Sequence, residues 1–132
     1  MASGLAATTF ANKILDIMGS PGTTFSGVST FVQLHTGEPG AAGTSNVSSV
    51  TTRPSITWSA ASAGSKAITA TLPAWPNWAG TNGEVVTNIS VWDASSAGNF
   101  LFSVLLTLSK TINTGDTATL SSMSVTFTPI AA

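Results

Sequence analysis

The sequence predicts an all-β domain: an antiparallel β-sandwich, Ig-like or jelly-roll-like, with one short α-helix at its N-terminus. Three observations carry this expectation. A helical spacing of apolar residues occurs only near the start of the chain, most later segments alternate apolar and polar residues with period two, and turn signals recur about every eight to twelve residues.

Leu5, Phe10, Ile14, Leu15 and Met18 recur at three- and four-residue steps, with Ser3 placed as an N-cap and Gly19 followed by Pro21 as a stop. This predicts a helix over about residues 4–18, followed by the sandwich over about 27–130. Val28, Thr30, Val32 and Leu34 then share one face, and Ser29, Phe31, Gln33 and His35 the other, as a half-buried strand requires. Thr36 to Val47 has no periodicity and is a long loop. Arg53-Pro54 precedes a short strand, SITW, because proline cannot donate to a sheet ladder. In Lys66–Leu72 the alternation points Ile68, Ala70 and Leu72 inward, and Pro73–Gly83 (PAWPNWAGTNG) reads as a rigid aromatic loop.

The second half is more regular. Glu84–Trp92 (EVVTNISVW) alternates, DASSAGN turns the chain, and Phe100–Leu108 returns with Phe100, Phe102, Val104, Leu106 and Leu108 on one face. These two strands pair as an antiparallel hairpin. NTGDT, Asn113–Thr117, is a second turn, leading to a last strand in which Met123, Val125 and Phe127 alternate with hydroxyl residues. Seven or eight strands are expected, all within one domain, since 132 residues suffice for one core and no linker or repeat divides them.

Composition narrows the function. Charged residues make up 7% of the chain and the net charge is −1, against about 25% charged residues in an ordinary soluble domain. Ser and Thr together contribute about 30%. The surface is therefore largely hydroxyl, amide and backbone, with little electrostatic protection against self-association. Lys13, Arg53, Lys66 and Lys110 are scattered singly, so no basic patch gathers phosphates and nucleic acid is not an expected partner. With no cysteine and one histidine, neither a disulfide framework nor a zinc site is expected, and no cofactor motif occurs. No signal peptide is seen at the N-terminus, and no apolar run is long enough to insert in a membrane.

The segment FVQLHTGEPG holds that histidine, His35, three residues before Glu38. The pair suggests a base with its orienting acid. Hydrolysis would also require a nucleophile elbow or a second positioned carboxylate, and the sequence has neither. The expectation is a protein that is not an enzyme, with no catalytic, cofactor or metal residues. Trp75 and Trp78, in the proline-rich loop, have three possible uses: plugs over the end of the core, contacts with a neighbouring subunit, or stacking platforms for sugars. The apolar stripe of the helix either closes the sandwich or docks on a partner. Phe10, Ile14, His35, Glu38, Trp75 and Trp78 are accordingly the candidate residues of a subunit or partner interface.

The ordered series FVQLHTGEPG, LPAW, ISVWDASSAGNFLFS and TLSKTINTGDTATL, with Arg53 between the first two, resembles a family of small structural proteins of tailed bacteriophages and prophages, commonly labelled tail fibre or minor structural proteins. Leu34, His35 and Thr36 match the family's strand end, Glu38, Pro39 and Gly40 its loop, Asp93, Gly98 and Asn99 its hairpin, and Lys110, Asn113, Gly115 and Asp116 its last turn. Ser90-Val91-Trp92 departs from the usual glycine-initiated strand, and Pro54 follows Arg53 directly. The resemblance implies a non-enzymatic virion component made in a bacterial host, with other virion proteins and further copies of itself as partners. The first expectation is a capsid decoration or cement protein, since one compact domain leaves no room for a trimeric shaft and a separate attachment domain. A tail fibre or baseplate component is the alternative, and a carbohydrate-binding adhesion module for host glycans the second.

Overall fold

A computed structural model describes residues 4–16 and 27–127. The expected cap at Ser3, the helical residue Met18 and the Gly19–Pro21 stop lie outside the described residues. Eight strands and one N-terminal helix appear among those described, as a sandwich requires: β1 (Thr30–His35), β2 (Ser55–Ile56), β3 (Ser65–Ala67), β4 (Ala74–Trp75), β5 (Glu84–Trp92), β6 (Phe100–Ile112), β7 (Ala118–Thr119) and β8 (Ser124–Thr126). The main sheet has the order β2-β1-β5-β6, with each neighbouring pair antiparallel. Two smaller antiparallel pairs, β3-β8 and β4-β7, complete the structure.

Alternation decides what each face of the main sheet holds. Opposed residues in a ladder share a face, so the pairs Val32–Val91 and Leu34–Ile89 of β1 and β5 line one side, joined by Phe102 and Val104 of β6. That side forms the main core with Ile56, Trp75, Trp78, Val86, Ile112, Ala118 and Met123. The other side carries Gln33 opposite Ser90 and His35 opposite Asn88, all buried. β1 and β5 are thus covered on both faces, one apolar and one polar.

The helix begins as a π-turn over Ala7–Ala11, where the Ala11 N–H bonds to the Ala6 carbonyl at 2.9 Å, and continues as α1 over Asn12–Asp16. Before it, Gly4 to Ala6 runs along the outer edge of β6: the Ala6 N–H bonds to Leu101 O at 2.7 Å and the Ser103 N–H to Gly4 O at 3.1 Å. Phe10 then stacks on Phe102 with centroids 6.2 Å apart.

Four sequence expectations change. Phe100, expected on the face of Phe102, packs with Ala6 and Trp92 in a separate cluster, because a second register shift falls between Val91 and Trp92. The β5/β6 register slips between Val86 and Asn88, where Leu105 to Lys110 of β6 spans the same stretch as three β5 residues. Strict alternation fails there, so Val86 joins Ile89 in the core while Leu108, expected inward, is 82% exposed. Ala70 and Leu72 are exposed rather than inward, because Thr71 takes a left-handed backbone (φ 41°) that ends the alternation after Ile68. The last strand is two short ones, β7 and β8, with Met123 buried between them and Phe127 exposed.

Candidate functional site

His35 sits on the polar face of β1 with no solvent exposure. Its Nδ1–H donates to the Ser45 carbonyl at 2.8 Å, which leaves Nε2 to accept from the Ser90 hydroxyl at 2.7 Å. Ser90 Oγ in turn accepts the Trp92 indole N–H at 2.7 Å. Every proton in this chain has a place only when the imidazole is neutral. Burial, opposed by the Ser45 carbonyl and helped by the charge of Arg53, accordingly holds the His35 pKa below its ordinary value.

Arg53 completes the layer. Its guanidinium lies 3.8 Å from the Trp92 ring centroid, Nε donates to Gln33 Oε1 at 3.0 Å, and Nη1 donates to the Ala97 carbonyl at 2.8 Å. A planar fork that stacks on one ring and bonds in two directions is a use lysine cannot copy. Through it the DASSAGN turn is fastened to the sheet.

The long loop after β1 closes over this layer. The Thr36 N–H bonds to Asn46 O at 2.8 Å, the Ser45 N–H to Pro39 O at 2.9 Å, and the Asn46 side-chain amide to Glu38 O at 2.9 Å. Gly43 passes against the Phe100 and Trp92 rings, where an added Cβ would lie 2.6 Å from a Phe100 ring carbon. At the hairpin, Asp93 accepts the Asn99 backbone N–H at 2.6 Å and its side-chain amide at 2.8 Å, which holds the Asp93 carboxyl below its ordinary pKa. Elsewhere Glu84 accepts the Ser48 hydroxyl and the Ser49 N–H; these bonds outweigh burial and lower its pKa.

Between these loops and the N-terminal stretch lies an open cleft of about 730 Å³. Leu5 to Thr9 forms one wall, Glu38, Gly40 to Ala42 and Thr44 another, and Gly98 to Phe100 the third, with the largely buried Trp92 also in the lining. Among the described residues, no Lys, Arg or His lines it.

The expected interface residues do not form one site. Glu38 lines this cleft, with His35 sealed in the layer beneath its loop. Phe10 and Ile14, both half-buried, line a separate apolar pocket of about 370 Å³ with Trp58, Phe102, Val125 and Phe127. Trp75 and Trp78 lie in the main core, 3% and 2% exposed, their indole N–H groups bonded to Thr52 O and Thr81 O. Their rings plug the core and offer no stacking surface. The turn motif explains how: the Gly115 N–H bonds to Trp78 O at 2.9 Å and the Trp78 N–H to Asp116 O at 2.8 Å, so NTGDT clamps the tryptophan loop. Sequence reasoning missed Arg53 and Ser90; an isolated arginine in a chain so poor in charge was the available signal.

As a site for chemistry the layer has no free reactive atom: both imidazole nitrogens are committed and shielded. The residues that carry the sequence motifs fasten loops to a β-sandwich. The chain matches the family model "Podophage GP4 fiber I protein gp80" over residues 5–128, and it belongs to that family of phage fibre proteins. No curated protein sequence matches it.

Proposed function

We propose that the chain is a non-catalytic building block of a phage tail fibre or tail appendage. The observation that carries this is the family match over nearly the whole chain, residues 5–128, to proteins described as fibre components. Capsid decoration, the first expectation from the sequence, gives way to the fibre alternative because that description favours it. The loop architecture supports a structural role: the His35, Asp93 and Asn99 side chains bond within the domain, and Asp116 accepts the Asn113 backbone N–H to close the last turn. A weakly charged, hydroxyl-rich surface suits contact with other virion proteins. Gold-labelled antibody against the chain, viewed on intact particles, tests this. Label is expected on tail appendages; label spread over the heads would refute the reading.

A further inference from the structure

The loop over residues 36–47 is a preassembled unit. The Thr36 N–H bonds to Asn46 O, the Ser45 N–H to Pro39 O, the Gly43 N–H to Gly40 O and the Asn46 amide to Glu38 O, all within the loop. Its far end is anchored separately: the Ser48 N–H bonds to Leu34 O at 3.0 Å, and Glu84 accepts the Ser48 hydroxyl and the Ser49 N–H. The body of the unit is tied to the sheet through the buried chain of Ser45 O, His35, Ser90 and Trp92, and through Gly43 on the Trp92 and Phe100 rings.

We propose that His35 is a proton-operated latch: the loop lies closed while the imidazole is neutral and lifts as one piece when the ring takes up a proton. This concerns the domain alone and does not depend on the fibre reading.

The two ring bonds respond to a proton in opposite ways. Nδ1–H already donates to Ser45 O, and an imidazolium donates there more strongly. Nε2 accepts from Ser90; once protonated, it turns a donor toward a hydroxyl that already accepts the Trp92 indole N–H, and the hydroxyl proton loses the acceptor it had. Arg53, the cation of the layer, adds like-charge repulsion. Among the described residues no carboxylate bonds the ring: Glu84 holds Ser48 and Ser49, Asp93 holds Asn99 and feels the charge of Lys13, and Glu38 lies in the cleft lining. A buried cation without an anionic partner is strongly unfavourable. The ring is relieved by leaving Ser90 and Arg53 with Ser45 still bound, which carries the loop into water. The internal bonds of the loop survive this movement, and Glu84, held below its ordinary pKa, stays ionised and keeps the Ser48 anchor. Opening removes the cleft wall of Glu38, Gly40 to Ala42 and Thr44, and uncovers the rings on which Gly43 packs.

Hydrogen exchange of the purified chain followed by NMR, read as protection factors at about pH 7.5 and about pH 5, tests the latch. The bonded Thr36, Gly43 and Ser45 amides are expected to be less protected than those of the central strand β5 at both values, and to lose about tenfold in protection between them. Protection equal to that of β5 throughout, which means release only by global unfolding, or loop protection independent of pH, would overturn the proposal. His35 is the sole histidine of the chain, so its ring signals are assigned without ambiguity, and their titration is expected to track the loss of loop protection. A ring that titrates beneath a loop still protected would count equally against the latch. His35→Gln, neutral at every pH, is expected to abolish the pH dependence of loop exchange, and a tenfold fall kept in that variant would refute the role of the ring. The wild-type exchange and titration decide the question even where the variant does not fold.

Discussion

Replacing Trp78 by alanine separates a core role from an interface role. The ring is 2% exposed and lies in the main cluster with Trp75, Val86 and Ile112. A tryptophan buries about 200 Å², and at about 25 cal/mol per Å² its burial is worth about 5 kcal/mol. Alanine retains part of that, and partial relaxation around the cavity recovers more, which leaves a loss of about 4 kcal/mol, in line with core tryptophan truncations. The bond from its indole to Thr81 O at 3.2 Å adds little, because Thr81 is exposed and its carbonyl rehydrates. Against a total stability of about 5–15 kcal/mol, such a loss is measurable by urea unfolding followed by far-ultraviolet circular dichroism. A change below about 1 kcal/mol, combined with failure to incorporate into particles, would refute the core placement and restore the interface expected from the sequence.

Two further outcomes follow from the polar layer and the hairpin. Because the folded state holds His35 below its ordinary pKa of 6.5, the unfolded chain takes up a proton first; stability is full above about pH 6.5 and falls as pH drops below it, by at most about 1.4 kcal/mol per pH unit. Unfolding free energies measured from about pH 7.5 to about pH 5 check this, above the range in which the lowered Asp93 and Glu84 carboxyls titrate, and a flat profile would contradict the neutral-imidazole network. Gly98 has φ +75°, and an added Cβ would meet Asp93 Oδ1 at 2.6 Å, the same atom that accepts the Asn99 N–H. Gly98→Ala should cost about 2 kcal/mol or more, against about 1 kcal/mol for Gly83→Ala, which has a similar φ but open space; equal thermal shifts for the two would argue against the clash.

How far the sequence could be read depended on whether the determining forces were local. The bounds of Glu84–Trp92 were legible because its run of β-formers between turn signals is a property of the segment itself, and DASSAGN and NTGDT were legible as turns from their Asp, Asn and Gly. The bulge opposite Thr87 was not, since it arises from pairing between strands, and it reversed the placement of Val86 and Leu108. Trp75 and Trp78 show the same limit. A proline-rich aromatic loop is recognisable in sequence, but whether its rings turn inward depends on the clamp from Gly115 and Asp116, more than thirty residues later. His35 and Glu38 drew notice as a chemical pair; the histidine's real partners, Ser45 and Ser90, lie ten and fifty-five residues away. Arg53 looked like one scattered charge and joins β1, the hairpin turn and Trp92.

The fibre assignment is tested most directly by the number of copies per particle, measured by quantitative mass spectrometry against the major capsid protein. A tail appendage predicts a small, fixed number, far below that of the capsid protein. A copy number comparable to that of the capsid protein, as a lattice-decorating subunit would have, would contradict it.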